Sequence, residues 1–323
     1  MSKFIPRTSH RAPRYHAAVA RLILLCTVLV AGSSAGADEP RNGNGTMLNR
    51  IGGDLVGVSD FFDTVLPGTL KKYNLLLDFS PKFGDVRNRE FIRYPIGLRY
   101  GIAQDWEVYG GLTPFSPNPF NDGPDHRWGP GEARLGIRHN TAHGFLFYNH
   151  ATIGLETRVP LGEPPVDLID GYTHVKPYLT ASRDLHWPDT QIYTTFSYDW
   201  SADSMGRNRP TSPRVVRQHI AQVAPGYLYK PGEYGWFTEY EFRHLDEEVG
   251  YRLSHGFKLG MIWDVPRAKS RRWHFPGKWQ IEIAGKIVKE EGRSLDPGIV
   301  TRVRVRTSLK EVLNPERLRD RNR

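Results

Sequence analysis

The chain has 323 residues, 39% hydrophobic and 24% charged, with 44 Lys and Arg against 35 Asp and Glu and a single cysteine, Cys26. Beyond the N-terminal leader no run approaches the roughly eighteen consecutive apolar residues of a spanning helix, so any crossing of a bilayer must use strands. The net charge of +9 owes five bases to the leader; without them 39 bases face 35 acids, and the resulting +4 gives a nucleic-acid role little support.

Lys3, Arg7, Arg11, Arg14 and Arg21 precede an apolar run from Leu22 to Ala31 and the small triplet Ala35-Gly36-Ala37. This is the pattern of a cleavable signal peptide over residues 1–37, cut before Asp38, because ten apolar residues fall short of a membrane anchor. Cleavage removes Cys26 and with it any disulfide or cysteine metal site. In the lead that follows, residues 38–66, Leu48, Ile51, Leu55, Val58, Phe62 and Val65 recur at mostly helical spacing, predicting a short amphipathic helix or plug at the mouth of the next unit. Pro67-Gly68 ends it.

Residues 67–309 then alternate with the period of two that marks strands. The first predicted strand sets Tyr73, Leu75, Leu77 and Phe79 against Lys72, Asn74 and Asp78; the second sets Tyr94, Ile96, Leu98, Tyr100 and Ile102 against Arg93, Gly97 and Arg99. The third sets Trp106, Val108, Gly110 and Leu112 against Glu107, Tyr109 and Thr113, and the fourth Ala133, Leu135 and Ile137 against Glu132, Arg134 and Arg138. In the fifth, Ala151, Ile153, Leu155 and Val159 oppose His150, Thr152, Glu156 and Arg158; in the sixth, Val175, Leu179 and Ala181 oppose His174, Lys176 and Thr180. The seventh alternates Ile192, Thr194, Phe196, Tyr198 and Trp200 with Gln191, Thr195, Ser197 and Asp199, and an eighth, less regular, spans Val215 to Tyr229. Trp236, Tyr240 and Phe242 against Glu239, Glu241 and Arg243 make the ninth; Phe257, Leu259, Met261 and Trp263 against Lys258, Gly260 and Asp264 make the tenth. Trp279, Ile281, Ile283 and Ile287 against Gln280, Glu282 and Lys286 make the eleventh, and Thr301, Val303 and Val305 against Arg302, Arg304 and Arg306 the twelfth. A polar tail, residues 310–323, closes the chain.

One face of each strand is greasy and the other repeatedly charged, which a dry core would not tolerate but a wall between lipid and water requires. Short links at Ala103 to Asp105, Asn140 to His143, Asp184 to Asp189 and Lys230 to Gly232 interleave with long Pro- and Gly-rich ones at Pro114 to Pro130, Pro160 to Gly171 and Ser201 to Arg214. That is the asymmetry of outer-membrane barrels, with Pro266 to Lys278 as a long exception on the short side. A soluble β-sandwich would also bury aromatics, but leader, missing cysteine, loop asymmetry and even strand number together predict an all-β fold, an antiparallel transmembrane β-barrel of about twelve strands, between ten and fourteen.

With the greasy faces outward, the lumen holds Arg93, Arg99, Glu107, Arg134, Arg138, Glu156, Arg158, Lys176, Glu239, Glu241, Arg243, Lys258, Glu282, Lys286, Arg302, Arg304 and Arg306. Two readings stand side by side: a basic water-filled pore that favours anionic solutes, or a narrow barrel filled by paired Arg and Glu. Catalysis has little support. There is no G-x-S-x-G, and pairing His150, His174, His219 or His255 with Ser182, Ser197 or Ser254 is a coincidence expected among twelve histidines. No H-E-x-x-H or phosphate-cradling glycine loop occurs, Asp246-Glu247-Glu248 reads as a solvated acidic run, and no metal or cofactor is expected.

From Leu66 to about Asn140 the chain resembles a family of outer-membrane channels named for the meta-pathway of phenol degradation. The resemblance lies in Pro67-Gly68-Thr69-Leu70, in Tyr94-Pro95-Ile96-Gly97-Leu98-Arg99-Tyr100-Gly101-Ile102, in Glu107 after Trp106, and in Gly129-Pro130-Gly131-Glu132-Ala133-Arg134-Leu135-Gly136. It implies a Gram-negative outer-membrane barrel passing small, often hydrophobic or aromatic compounds, with no catalytic residues to transfer. One departure is that the chain runs on from Lys310 to Arg323 instead of closing on a strand with a terminal aromatic. The expected function is a monomeric, non-enzymatic channel or transporter whose partners are outer-membrane lipids, small solutes and the barrel-assembly machinery. The alternatives are a non-conducting structural or surface-interaction barrel with a charge-filled lumen and, less favoured, an outer-membrane lipid hydrolase.

Overall fold

The computed structural model describes residues 60–61, 64–81, 91–120, 127–141, 144–161, 172–202, 218–247, 250–270, 277–292 and 294–313. The expected signal peptide, most of the 38–66 lead and the tail beyond residue 313 lie outside them.

Twelve strands close into one antiparallel barrel. In chain order they are β3 (Asn74–Phe79), β5 (Ile96–Ala103), β6 (Trp106–Leu112), β8 (Gly131–Thr141), β9 (His150–Leu161), β10 (Thr173–Asp184), β11 (Thr190–Ala202), β12 (Gln218–Tyr229), β13 (Tyr234–Glu247), β14 (Gly250–Asp264), β15 (Lys278–Glu290) and β16 (Leu295–Ser308). Each pairs with its neighbour, and β16 meets β3 to close the ring, Val305 facing Leu77. Closure leaves no sheet edge, as a bilayer demands. Two small sheets stand apart: β1 (Asp60–Phe61) with β2 (Thr64–Val65), and β4 (Phe91–Arg93) with β7 (Phe115–Pro117).

All twelve predicted strands are present, and the period of two survives as geometry. Ile96, Leu98, Leu112, Leu135, Leu155, Leu259, Ile283 and Ile287 are exposed on the outer wall, while Arg99, Glu107, Arg138, Glu239, Lys258, Glu282 and Arg304 between them are buried. An exposed apolar belt of this extent suits lipid and would be an association liability in water. Tyr73, Trp106, Tyr229, Tyr234 and Trp236 stand exposed at one end of the belt and Phe79, Trp200 and Tyr251 at the other, the girdle arrangement expected at two interfaces.

The strand ends joined by links 104–105, 142–149, 185–189, 230–233 and 265–277 meet at one end, and those joined by 80–95, 113–130, 162–172 and 203–217, with the short 248–249 and 291–294, at the other, the long-loop end. The anomalous 265–277 link does sit at the short-link end, and it carries the helix α1 (Arg267–Ser270). Asp105 and Asp189 adopt left-handed φ of 61° and 60° in two of the tight links, a conformation Asp tolerates better than most residues.

Three expectations are corrected. The second strand begins at Ile96, not Tyr94, because Pro95 has no N–H for the ladder. Arg93 consequently leaves the barrel wall for β4, opposite Phe115 of β7, where Phe91 meets Phe115 edge-on at 5.6 Å. At the end of the predicted amphipathic helix or plug the chain is not helical: Asp60 and Phe61 pair with Val65 and Thr64.

Candidate functional site

The inner wall is assembled by parity: on each strand, one set of alternate residues points inward, and register decides which of them meet. Near the short-link end, Glu107 lies between two arginines. Arg99 contacts it through Nε, and Arg138 donates from Nη2 to Oε2 at 3.0 Å. The backbone N–H of Leu70 donates to the same carboxylate at 2.8 Å.

Leu70 reaches Glu107 because the chain before β3 runs inside the barrel. Gly68 N–H donates to Thr152 Oγ1 at 2.7 Å, and Leu66 is buried among the inward-facing Tyr193, Leu228, Phe237, Ile262, Ala284 and Val300. Gly101 makes the passage possible: a Cβ there would stand 2.3 Å from the carbonyl oxygen of Lys71. This strap, Leu66 to Leu70, lies across the lumen.

Deeper in the wall, Lys258 bridges Glu239 at 2.8 Å and Glu241 at 3.2 Å, and Arg243 contacts Glu241. Arg304 donates to Glu282 at 2.6 Å, and Arg302 donates from Nε to Ser80 Oγ at 2.6 Å. Glu107, Lys258, Glu239, Glu282 and Arg304 are at most 1% exposed. Ions so deep are held by their partners, since desolvating either member alone costs several kcal/mol.

Toward the long-loop end the character changes. Arg134 and Arg158 are direct cross-strand partners and stand 3.9 and 3.6 Å from Glu156 Oε1. Arg158 also contacts Asp199, which His174 Nδ1 meets at 2.7 Å. Here the side chains are wet: Arg134 is 37% exposed and Arg158 25%. Arg243, Lys176 and Lys286 are also only half-buried on the inner face. These bases face inward near the long-loop end without being fully buried.

Between the ions lie aromatic rings packed closely over glycines. Tyr109 faces Gly136, Tyr178 faces Gly154, Tyr193 faces Gly226 and Phe237 faces Gly260, each as direct cross-strand partners. A Cβ at any of the four glycines would fall 2.2 to 2.4 Å from the opposing ring. Tyr109 Oη donates to Glu156 at 3.2 Å and Tyr193 Oη to Glu239 at 3.2 Å, so the rings also serve the ion pairs.

The expected lumen residues thus fall into groups: Arg99 with Glu107 and Arg138; Arg134 with Glu156 and Arg158; Glu239 and Glu241 with Lys258 and Arg243; Glu282 with Arg304. Arg306 is half-buried at the short-link end. Sequence reasoning left out Asp199, His174, Tyr178 and the strap. The first two carry the right parity, but pairing partners on other strands give them their role. Ser201 Oγ lies 3.5 Å from His174 Nδ1, the same nitrogen that meets Asp199. One nitrogen cannot relay a proton from serine to aspartate. Among the described residues no group of three or more potential metal ligands occurs.

No family model matches the chain, and no curated protein matches it in sequence. Among solved structures it is similar to the NanC porin (11% identity, TM-score 0.42), with 72% of this chain and 98% of that one aligned. It is also similar to an outer membrane channel from Pseudomonas putida F1 (9% identity, TM-score 0.46, 76% and 98%). A third similar structure is the KdgM porin in complex with disordered oligogalacturonate (9% identity, TM-score 0.39, 73% and 99%).

Proposed function

We propose that this barrel spans a bacterial outer membrane as a channel or transporter for small solutes, reached through a cleaved signal peptide and inserted as a monomer by the assembly machinery. The observation that supports this reading is the wall itself: apolar and exposed outside, charged inside, with the partly exposed bases Arg134 and Arg158 at the long-loop mouth. That mouth faces the cell exterior in this reading, and its field gathers anionic solutes. The motif resemblance over residues 66–140 extends the solute class to small hydrophobic or aromatic compounds.

A second reading has its own support. The pairs around Glu107, Lys258 and Glu282 are fully buried and the strap lies across the lumen, as in a charge-filled structural barrel. Conductance in planar bilayers separates the two. The channel reading expects discrete steps from purified, folded protein, with anion preference reduced when Arg134 and Arg158 become Ala; a protein that inserts yet gives no steps, with the strap in place or displaced, leaves the structural barrel standing.

A further inference from the structure

The link between β8 and β9 turns back along the outside of the barrel. Phe145 and Tyr148 exchange backbone hydrogen bonds at 3.1 and 2.9 Å, so Leu146 and Phe147 form the tip of a two-residue hairpin. Tyr148 is buried although it lies outside the wall: it packs with Ala151 and Ala181 against Leu179 and Ile192, and its hydroxyl pairs with Thr194 Oγ1. Ala151, Ala181 and Thr194 are consecutive cross-strand partners on β9, β10 and β11, and all three have outward parity. Small residues in a row, on a wall that elsewhere carries Leu, Ile and aromatic rings, make a seat for the tyrosine. The hairpin therefore lies along the barrel near its short-link end.

The tip is unlike an ordinary turn in water. Leu146 is 79% exposed and Phe147 56%, and Leu146 has a left-handed φ of 54°. Glycine is the usual residue at that first tip position, and a bulky side chain is strained there. Water gives such a leucine no compensating contact, whereas an apolar surround does. Arg183, exposed and outward on β10, donates from Nη1 to the Phe147 carbonyl at 3.4 Å, which sets a cation beside the tip.

We infer that this hairpin is a membrane finger whose tip enters the phospholipid leaflet at the short-link end. Leu146 and Phe147 lie at the boundary of headgroups and acyl chains, and the Arg183 guanidinium stands at headgroup level. An interfacial apolar face of this kind sits about 5–10 Å into that boundary. The seat selects lipid over a protein partner: the hairpin rests on residues of lipid-facing parity, so whatever surrounds the barrel there also surrounds the tip. Trp106, Tyr229, Tyr234 and Trp236 are exposed at the same end. The inference rests on the reading of the barrel as a membrane protein.

Cys26 is the only cysteine, so in a Cys26→Ser background Leu146→Cys carries a single fluorescent label. The chain is refolded into vesicles of phosphatidylcholine and phosphatidylglycerol and read with two quenchers, iodide in the water and a lipid nitroxide near the headgroup end of the acyl chain. Pro231→Cys, exposed on the 230–233 link, is the aqueous control, and Leu135→Cys on the outer wall is the lipid control. The tip label should be quenched by the nitroxide and several-fold less by iodide than the label at residue 231. Iodide quenching equal at residues 146 and 231, with the label at residue 135 quenched by lipid, overturns the finger and leaves the membrane barrel intact. A tip label shielded from both quenchers is covered by protein, in this preparation a second copy, and also overturns it. If the label at residue 135 is itself quenched by iodide alone, the membrane reading fails and the finger with it. Phe147→Cys supplies the same readout where Leu146→Cys does not refold, as judged by heat-modifiable migration.

Discussion

Tyr193 of β11 packs over Gly226 of β12, so close that a Cβ at residue 226 would stand 2.2 Å from the ring's Cζ. The ring cannot simply rotate away, because its hydroxyl reaches over Gly226 to donate to Glu239 on the next strand, β13. Gly226→Ala should therefore lift the ring, loosen that bond and cost about 1–3 kcal/mol, the usual range for overpacking. A lowered urea midpoint for the detergent-folded barrel checks this. Gly285→Ala is the companion measurement, since nothing approaches within 4 Å of a Cβ there; equal midpoints for the two variants would refute the idea.

Glu107 is the single carboxylate shared by Arg99, Arg138 and the strap's Leu70. Glu107→Ala should destabilise the barrel by about 3–5 kcal/mol, because two buried guanidinium groups lose a partner that water cannot replace. Exchanging both members of a buried pair is a different matter. Glu282→Leu with Arg304→Met should be far milder than Glu282→Leu alone, and a thermodynamic cycle on these variants measures the difference.

Arg134 and Arg158 stand at the wet end of the lumen. Replacing both with Ala should shift the reversal potential toward cations under a salt gradient. The shift should be largest at low ionic strength, since exposed charges are screened beyond about 8 Å at physiological salt. A salt-independent change would point to altered pore shape instead.

The strap is held by two apolar anchors, Leu66 and Leu70, and two backbone hydrogen bonds. Leu66→Asp places a carboxylate among Tyr193, Leu228, Phe237 and Ile262, an environment costly for a charge. The variant should release the strap and raise single-channel conductance. Gly101→Ala, which collides with the Lys71 carbonyl, should act in the same direction. Unchanged conductance in both would show that the strap does not limit passage.

Leu135 is 68% exposed in the middle of β8. In lipid, Leu135→Arg should cost about 2–4 kcal/mol, whereas on a wetted surface the change would be nearly neutral. Refolding into liposomes, followed by denaturant titration, distinguishes these outcomes.

Much of this was legible in the chain. The alternation around Ile281, with Gln280, Glu282 and Lys286 between the isoleucines, established both a strand and its orientation, because lipid and a polar interior demand opposite faces of one strand. The same reasoning located Arg99, Glu107, Arg138, Lys258 and Arg304 on the inner wall. It misplaced Arg93, where Pro95 breaks the ladder and sends the chain into β4. Of the segment predicted as a helix or plug only the end is described, where Asp60 and Phe61 pair with Val65 and Thr64 and the residues around Leu66 enter the barrel.

The sequence by itself determined the barrel, a strand number near twelve and the wall that most strand residues face, since these follow from a period-two pattern and the need to leave no sheet edge in lipid. Only the tertiary structure decided which ions meet and how wet they are. Register, set by closure of the whole ring, brings Arg134 opposite Arg158 and Lys278 opposite Arg306, and it lays Tyr193 on Gly226. No local pattern encodes those meetings, because the partners belong to different strands and their spacing depends on every link between them. The strap from Leu66 to Leu70 is of the same kind: it is held by Thr152 and Glu107, residues 84 and 37 positions away along the chain.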